Sequence, residues 1–223
     1  MDSLTGSTVG EGGVTVLLKG EKIKLLPGKV LYWVERKLMI VSDVHLGKAG
    51  HFRKHGIAVP GNIHVHDQQQ LSDLLLAHTV DDLVFLGDLF HSDANAEWHL
   101  FAEWARSIEG TRLTLVRGNH DILPLREYQA CGLNTVERLT LGPFSLTHQE
   151  EVDDQYYNIS GHLHPAIKLR GAAKQGLKLP CFFFRPNHAY MPAFGNFTGL
   201  YTLRKRREDK VFAVTGNRVM RVN

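Results

Sequence analysis

Five short segments combine residue types that bind metals or move protons: Asp43-Val44-His45, Gly87-Asp88, Gly118-Asn119-His120-Asp121, His148 and Gly161-His162-Leu163-His164. Together they offer carboxylate, amide and imidazole donors, the oxygen and nitrogen ligands that hard-to-borderline divalent cations prefer. Each segment alone is weak, because an Asp-x-His tripeptide is common and an Asn-His pair is usually a turn. In one chain they form an ordered set: aspartate twice, Asn-His-Asp, a lone histidine, then His-x-His. Such a set suits hydrolysis at a metal centre, where coordination lowers the pKa of water from roughly 16 to about 7.

The elements that must hold these residues follow from hydrophobic patterning. Leu38–Val41, Leu83–Leu86 and Leu113–Val116 are short apolar runs, and each ends directly in one of the polar segments. Helical spacing of Leu71, Leu74, Leu75 and His78 predicts a helix over His66–His78. Trp98, Phe101, Ala102, Ala105 and Ile108 predict another between the second and third runs. Buried strands alternating with helices are the βαβ signature of an α/β sheet with its site at the strands' carboxyl ends. Before this unit, Val14–Leu18, Ile23–Leu26 and Val30–Val34 read as strands broken by Gly20 and Pro27-Gly28. Beyond residue 134 come Thr135–Leu141, Phe144–His148, Tyr156–Ser160, Lys178–Phe184, Leu200–Leu203 and Lys210–Val214, without helices between them. The expectation is a second, mostly antiparallel sheet packed on the first in a four-layer αββα sandwich.

A length of 223 residues suits one well-buried domain, expected over residues 14–223, with a polar, Gly/Ser-rich tail over 1–13 that carries no secretory pattern. No apolar stretch is long enough for a membrane span. Two cysteines form no disulfide framework, so a reducing cytoplasm is the expected compartment. A net charge of +3 accommodates anionic substrates but is far from that of a dedicated duplex-DNA binder.

The order D-x-H, G-D, G-N-H-D, H, G-H-x-H resembles the calcineurin-like metallophosphoesterases. Outside those motifs, His45-Leu46-Gly47-Lys48-Ala49, Phe52-Arg53, Gly56-Ile57, Leu179-Pro180-Cys181-Phe182 and Pro192-Ala193-Phe194-Gly195 resemble one subgroup, the bacterial DNA ligase-associated phosphodiesterases. The resemblance implies two divalent metal ions, manganese favoured, and a phosphodiesterase or endonuclease. Its substrate would be nucleic acid, and its setting DNA repair beside DNA ligase and helicase. Gly87-Asp88-Leu89-Phe90-His91 lacks the Asp-Arg-Gly of the phosphoprotein phosphatases, which disfavours that branch. Carried over residue by residue, the resemblance gives the first metal to Asp43, His45, Asp88 and His164. The second goes to Asp88, Asn119, His148 and His162, with Asp88 bridging. His120 becomes general acid or charge stabiliser, and Asp121 is expected to hold its imidazole in the protonated form. Two divalent cations, two aspartates and one hydroxide leave a single positive charge, matched to a monoanionic diester.

Other residues have bland readings beside functional ones. Arg53, His91 and Arg117, with Lys48 and Arg170, are candidate substrate contacts, although solvated side chains are the commoner explanation for such cations. The Arg204–Arg207 tract reads first as a solvated hairpin turn. Phosphomonoesters and nucleotide pyrophosphates suit the same core as alternative substrates. A non-catalytic scaffold would be marked by lost ligands, whereas here every ligand position is filled.

Overall fold

The computed structural model describes residues 7–8, 12–47, 63–91, 94–170, 176–196 and 198–222. The first sheet takes its eight strands in chain order: β1 (Ser7–Thr8), β2 (Val14–Leu18), β3 (Glu21–Leu26), β4 (Val30–Trp33), β5 (Leu38–Ser42), β6 (Asp82–Leu86), β7 (Arg112–Val116) and β8 (Leu133–Val136). Neighbours from β1 to β5 are antiparallel, whereas β5 to β8 run parallel. The parallel strands need crossovers, and helices supply them: α1 (Ile63–Ala77), α2 (Ala96–Ser107) and α3 (Leu125–Ala130).

Alternation along these strands divides the core in two. Met39, Val41, Leu83, Phe85, Leu113 and Leu115 face the helices, where Leu71, Trp98, Phe101 and Tyr128 pack on them. Leu38, Ile40, Val84, Leu86 and Val116 face the second sheet and meet Phe144, Ile159, Phe182 and Phe212. Burial on both faces is why these strands read as unbroken apolar runs. The apolar stripe of α2 is as the spacing predicts, and its start is capped by Asn95, whose Oδ1 accepts from the N–H of Glu97 and Trp98.

The second sheet contains β9 (Leu139–Leu141), β10 (Phe144–Thr147), β11 (Tyr157–Ser160), β12 (Pro165–Arg170), β13 (Gly176–Phe184), β14 (His188–Tyr190), β15 (Tyr201–Thr202), β16 (Lys210–Thr215) and β17 (Arg218–Val222). Its order is β15-β12-β13-β14-β11-β10-β9, with β16 also paired to β13 and β17 to β16.

The α/β sandwich of two packed sheets stands as expected, with differences of detail. The second sheet is mostly antiparallel, with five antiparallel pairs, and β10–β11, β11–β14 and β12–β15 are parallel pairs that make it mixed. Alternation reports which face is buried, not which neighbour a strand chooses. The run expected as one strand over Thr135–Leu141 is two, and its first half, in β8, closes the first sheet. Among the described residues the helices cover the first sheet only. The outer face of the second carries a small apolar cluster around Ile167, Cys181, Phe183 and Val211. Ser7 and Thr8, expected in a flexible tail, pair with β2. No helix among the described residues is long and apolar enough to cross a membrane.

Candidate metal centre

At the carboxyl ends of β5 and β6 the chain turns sharply, and the two loops are zipped together. Asp43 N–H donates to the Gly87 carbonyl at 3.1 Å and His45 N–H to the Asp88 carbonyl at 2.9 Å. Asp43, His45 and Asp88 all sit in the left-handed region, with φ of 52°, 51° and 51°; so do His162 and His164 on the second sheet, at 64° and 50°. Non-glycine residues adopt such angles uncommonly, and strain of this kind clusters at functional sites. Here five of the seven candidate ligands share it.

These turns gather two clusters, Asp43–His45–His164 and Asp88–His148–His162, each with its donor atoms within 4.8 Å of one another. In the first, His45 Nε2 faces His164 Nε2 at 3.3 Å, and His164 Nε2 lies 3.3 Å from Asp43 Oδ1. In the second, His148 Nε2 faces His162 Nδ1 at 3.1 Å and Asn119 Oδ1 at 3.1 Å. Two unprotonated ring nitrogens at this separation repel unless a proton or a cation lies between them. Ligands held at about 2.0–2.2 Å from one divalent ion are spaced in just this way. Asp88 joins the clusters: its Oδ2 is 3.7 Å from His45 Nε2 and its Oδ1 is 3.3 Å from His148 Nε2. The orienting contacts belong to the same design. His148 Nδ1 pairs with the Leu86 carbonyl at 3.3 Å and His164 Nδ1 with the Gly199 carbonyl at 3.1 Å, which turns each Nε2 to the site.

A family model for calcineurin-like phosphoesterases matches residues 36–179, a span that takes in both clusters. The chain belongs to the calcineurin-like phosphoesterase family. No curated protein matches it. Among solved structures it is similar to the Pseudomonas putida nuclease MPE, with 28% identity and a TM-score of 0.81 over 94% of this chain and 100% of that one. An Escherichia coli phosphoesterase, Yfce, covers 83% of this chain and 97% of its own at 14% identity and a TM-score of 0.46, too distant to weigh. Membership of this family implies divalent metal ions, and the donor set of the two clusters fits them.

The electrostatics of this calcineurin-like site follow from burial and its opposing charges. Burial works to raise the Asp88 carboxyl, but the hydrogen bond and charge of His148, the His120 N–H and the charge of His45 outweigh it and hold it below the usual carboxylate range. Burial lowers His148, yet its pairing with Asp88 and the charge of Asp43 raise it on balance. His162 is lowered by burial and then by repulsion from His148.

One expected role is corrected. Asp121 does not hold the His120 imidazole. Its carboxylate is fully buried and accepts four backbone N–H groups: Asp88 at 2.8 Å, Leu89 at 2.9 Å, Phe90 at 3.2 Å and Gly118 at 2.7 Å. It clamps the Asp88 loop to the loop after β7. Burial nevertheless pushes its carboxyl up to about 6, and the nearby charge of Asp88 adds to the rise. Arg117 is likewise a brace, its guanidinium donating to the Asp121 carbonyl at 3.0 Å and to Glu137 at 3.4 Å. Asp121 is aimed at backbone N–H groups rather than at the His120 ring, and part of the Arg117 guanidinium is engaged with its own loop.

His120 and His91 are brought together over the first cluster. Their ring centroids are 4.0 Å apart, and the His45 ring lies 5.7 Å from His120 and 5.2 Å from His91. Arg53 and Lys48 lie outside the described residues, as does the side chain of Arg170. Sequence reasoning missed what supports the ligands. A Cβ on Gly87, at φ of 75°, would meet His148 Nδ1 at 2.0 Å, and one on Gly161 would meet Ser42 Oγ at 1.9 Å. Ser42 is buried and hydrogen-bonded to Asp43. Both glycines stand in the quoted motifs, but only the close approach across the sheets explains them.

Proposed function

We propose that this chain is a two-metal phosphodiesterase that cleaves nucleic acid, with Mn²⁺ as its working ion. The observation that carries the reading is the divided Asp88 carboxylate, one oxygen toward each cluster. Two cations a few ångströms apart repel, and a shared carboxylate is what screens them. Asp43, His45, Asp88 and His164 would hold one ion, and Asp88, Asn119, His148 and His162 the other. The bound ions would supply an activated water and a positive clamp on the phosphoryl oxygens. A mixed set of three oxygen donors and four imidazoles favours Mn²⁺ over Mg²⁺, which prefers all-oxygen octahedra.

The chain's own residues do the rest. Asp121 holds the Asp88 backbone, and the backbone N–H of His120, which donates to Asp88 Oδ1 at 2.9 Å, fixes the shared carboxylate. The His120 ring stands beside the first cluster, placed to give a proton to a departing alkoxide or to steady charge on the phosphoryl group. Nucleic acid as substrate is supported by the similarity to a nuclease at 28% identity over nearly the whole chain. A place in DNA repair, associated with DNA ligase and helicase, is supported by the subgroup motifs alone. A cytoplasmic setting is consistent with Cys131 and Cys181, which are both buried free thiols.

The test is a panel of metals and esters. Protein stripped of metal and reloaded should bind two Mn²⁺ per chain. It should cleave a single-stranded oligonucleotide and bis-nitrophenyl phosphate faster than a nitrophenyl monoester, with Mg²⁺ serving poorly. Full turnover in excess chelator, with metal content verified as nil, would end the two-metal account. Preference for the monoester would move the assignment to a phosphomonoesterase with the same centre.

A further inference from the structure

Charge along this chain is laid out unevenly. Between Tyr156 and Arg207 lie nine of the 26 lysines and arginines and none of the 23 aspartates and glutamates, so the remaining residues carry 17 cations against all 23 carboxylates. Among the described residues, the pairs between Lys or Arg and a carboxylate all fall outside that segment. The uncompensated segment is also the one that supplies His162 and His164.

The fold concentrates part of this charge beside the site. β13 is long: Cys181–Phe184 pair with β16 inside the sandwich, whereas Gly176–Pro180 pair with β12 as an overhanging hairpin. In that hairpin Lys168 and Lys178 are direct cross-strand partners, and both are exposed. Like charges set opposite each other destabilise a sheet, so nothing in the fold itself recommends the pair. The pleat puts Lys178 on the face of Phe182, which looks toward the first sheet. Arg204 lies close by: the N–H of Leu203 donates to the Ala166 carbonyl at 3.0 Å, Leu203 is buried in the outer cluster, and Arg204, the next residue, is exposed. Lys178 donates to the Leu200 carbonyl, using one of its three N–H groups.

The strip starts at the candidate metal centre. Tyr201 N–H donates to the carbonyl of His164 at 2.9 Å, and β12 begins at Pro165, the next residue. Lys168 is four residues beyond His164, roughly 13 Å along a strand. We propose that Lys168, Lys178 and Arg204 form a phosphate-binding track that holds the sugar–phosphate backbone of a single strand where it runs out of the metal centre. Contacts of this kind position a strand without reading its bases. The proposal rests on the nucleic-acid reading above and adds where the strand lies and which residues hold it.

The test uses Mn²⁺-loaded protein, a fluorescent single-stranded oligonucleotide and bis-nitrophenyl phosphate. The double variant Lys168→Ala with Arg204→Ala is compared with Lys37→Ala with Arg112→Ala, which removes the same charge at the amino ends of β5 and β7, away from the site. The first should raise KM for the oligonucleotide roughly ten-fold at low salt and flatten the dependence of log KM on log salt by about 1.4, or about 0.7 per lost phosphate contact. Turnover of bis-nitrophenyl phosphate should be unchanged, and the second variant should match the parent on both substrates. If the parent cleaves the oligonucleotide and the first variant keeps its KM and salt slope, the track is wrong and the nuclease reading stands. Equal loss in the two variants overturns it too, as an effect of net charge. A parent that hydrolyses the small diester but neither binds nor cleaves the strand ends the nucleic-acid reading and the track with it. Should the first variant also lose small-diester turnover, the single change Lys168→Gln decides by the same two readouts.

Discussion

From the carboxyl ends of the first sheet come Asp43, Asp88 and Asn119, three oxygen donors, with His45 the single imidazole. From the second sheet come His148, His162 and His164, imidazoles only. The supports differ in the same way. The carboxylates are held by backbone N–H groups, His162 N–H on Asp43 at 3.0 Å and His120 N–H on Asp88 at 2.9 Å. The imidazoles are held by carbonyls, Leu86 on His148 and Gly199 on His164. One support of each kind reaches across: His162 N–H on Asp43 and the Leu86 carbonyl on His148 link one sheet to the other. Loops after parallel strands point N–H groups at their own ends and so suit anions, whereas rings entering from the facing sheet must be turned by acceptors. Each cluster draws on both sheets, so an ion in either would bind them together.

The sharpest way to break this picture is at the shared carboxylate. Asp88→Asn should lose much of the affinity for both ions and more than about 100-fold in activity, beyond the usual cost of removing an orienting partner. His45→Ala and His148→Ala should each weaken chiefly one. Elemental analysis showing two metals retained in Asp88→Asn would contradict the assignment of Asp88 as the shared ligand.

Among the first sheet's loop residues, His120 is set apart because it is assigned to chemistry rather than to metal holding. His120→Ala should keep metals and fold but lose about 10²–10⁴-fold on a natural alkoxide diester, and much less on nitrophenyl esters, whose leaving group needs no proton. Equal losses on both would make it a charge stabiliser, and no loss on either would remove it from the mechanism.

Asp121 tests whether the first sheet's loops depend on their buried anion. Asp121→Asn swaps an acceptor for a donor facing backbone N–H groups, and should destabilise the protein by about 3 kcal/mol, or roughly 6–12 °C in Tm. A melting temperature within a degree or two of the parent would mean that the clamp is dispensable.

The smallest effect contrasts a half-buried cation in the first half with the exposed ones of the β12–β13 hairpin. Burial lowers Lys29 from 10.5 to about 8, against the attraction of Asp67. The folded chain gives up this proton near pH 8 while the unfolded chain keeps it to about 10.5, so the unfolded state binds more protons in that window and Lys29's contribution to stability rises with pH. Lys29→Met should raise Tm at pH 7 and abolish the rise, which thermal melts across pH 7–10 would show.

The seven candidate ligands were legible because each follows an apolar run or stands in a His-x-His pair, and such runs end where a buried strand must surface. The first sheet's parallel strands and helices were legible for the same reason, since burial on both faces and helical spacing are local patterns. Asp121 was not, because its partners at residues 88–90 lie more than 30 positions away and nothing beside it in the chain names them. Nor were β12, β14 and β17, whose short or half-exposed runs lack a clear period. Direction of pairing, the approach of His148 to Gly87 and the meeting of Lys168 with Lys178 are contacts between distant residues. The order of residues determined which donors exist and that they would surface at strand ends. Only the packing of one sheet on the other decided which donors share an ion, which carboxylate stands between the clusters and which are spent as braces, because those choices depend on distances that no local pattern encodes.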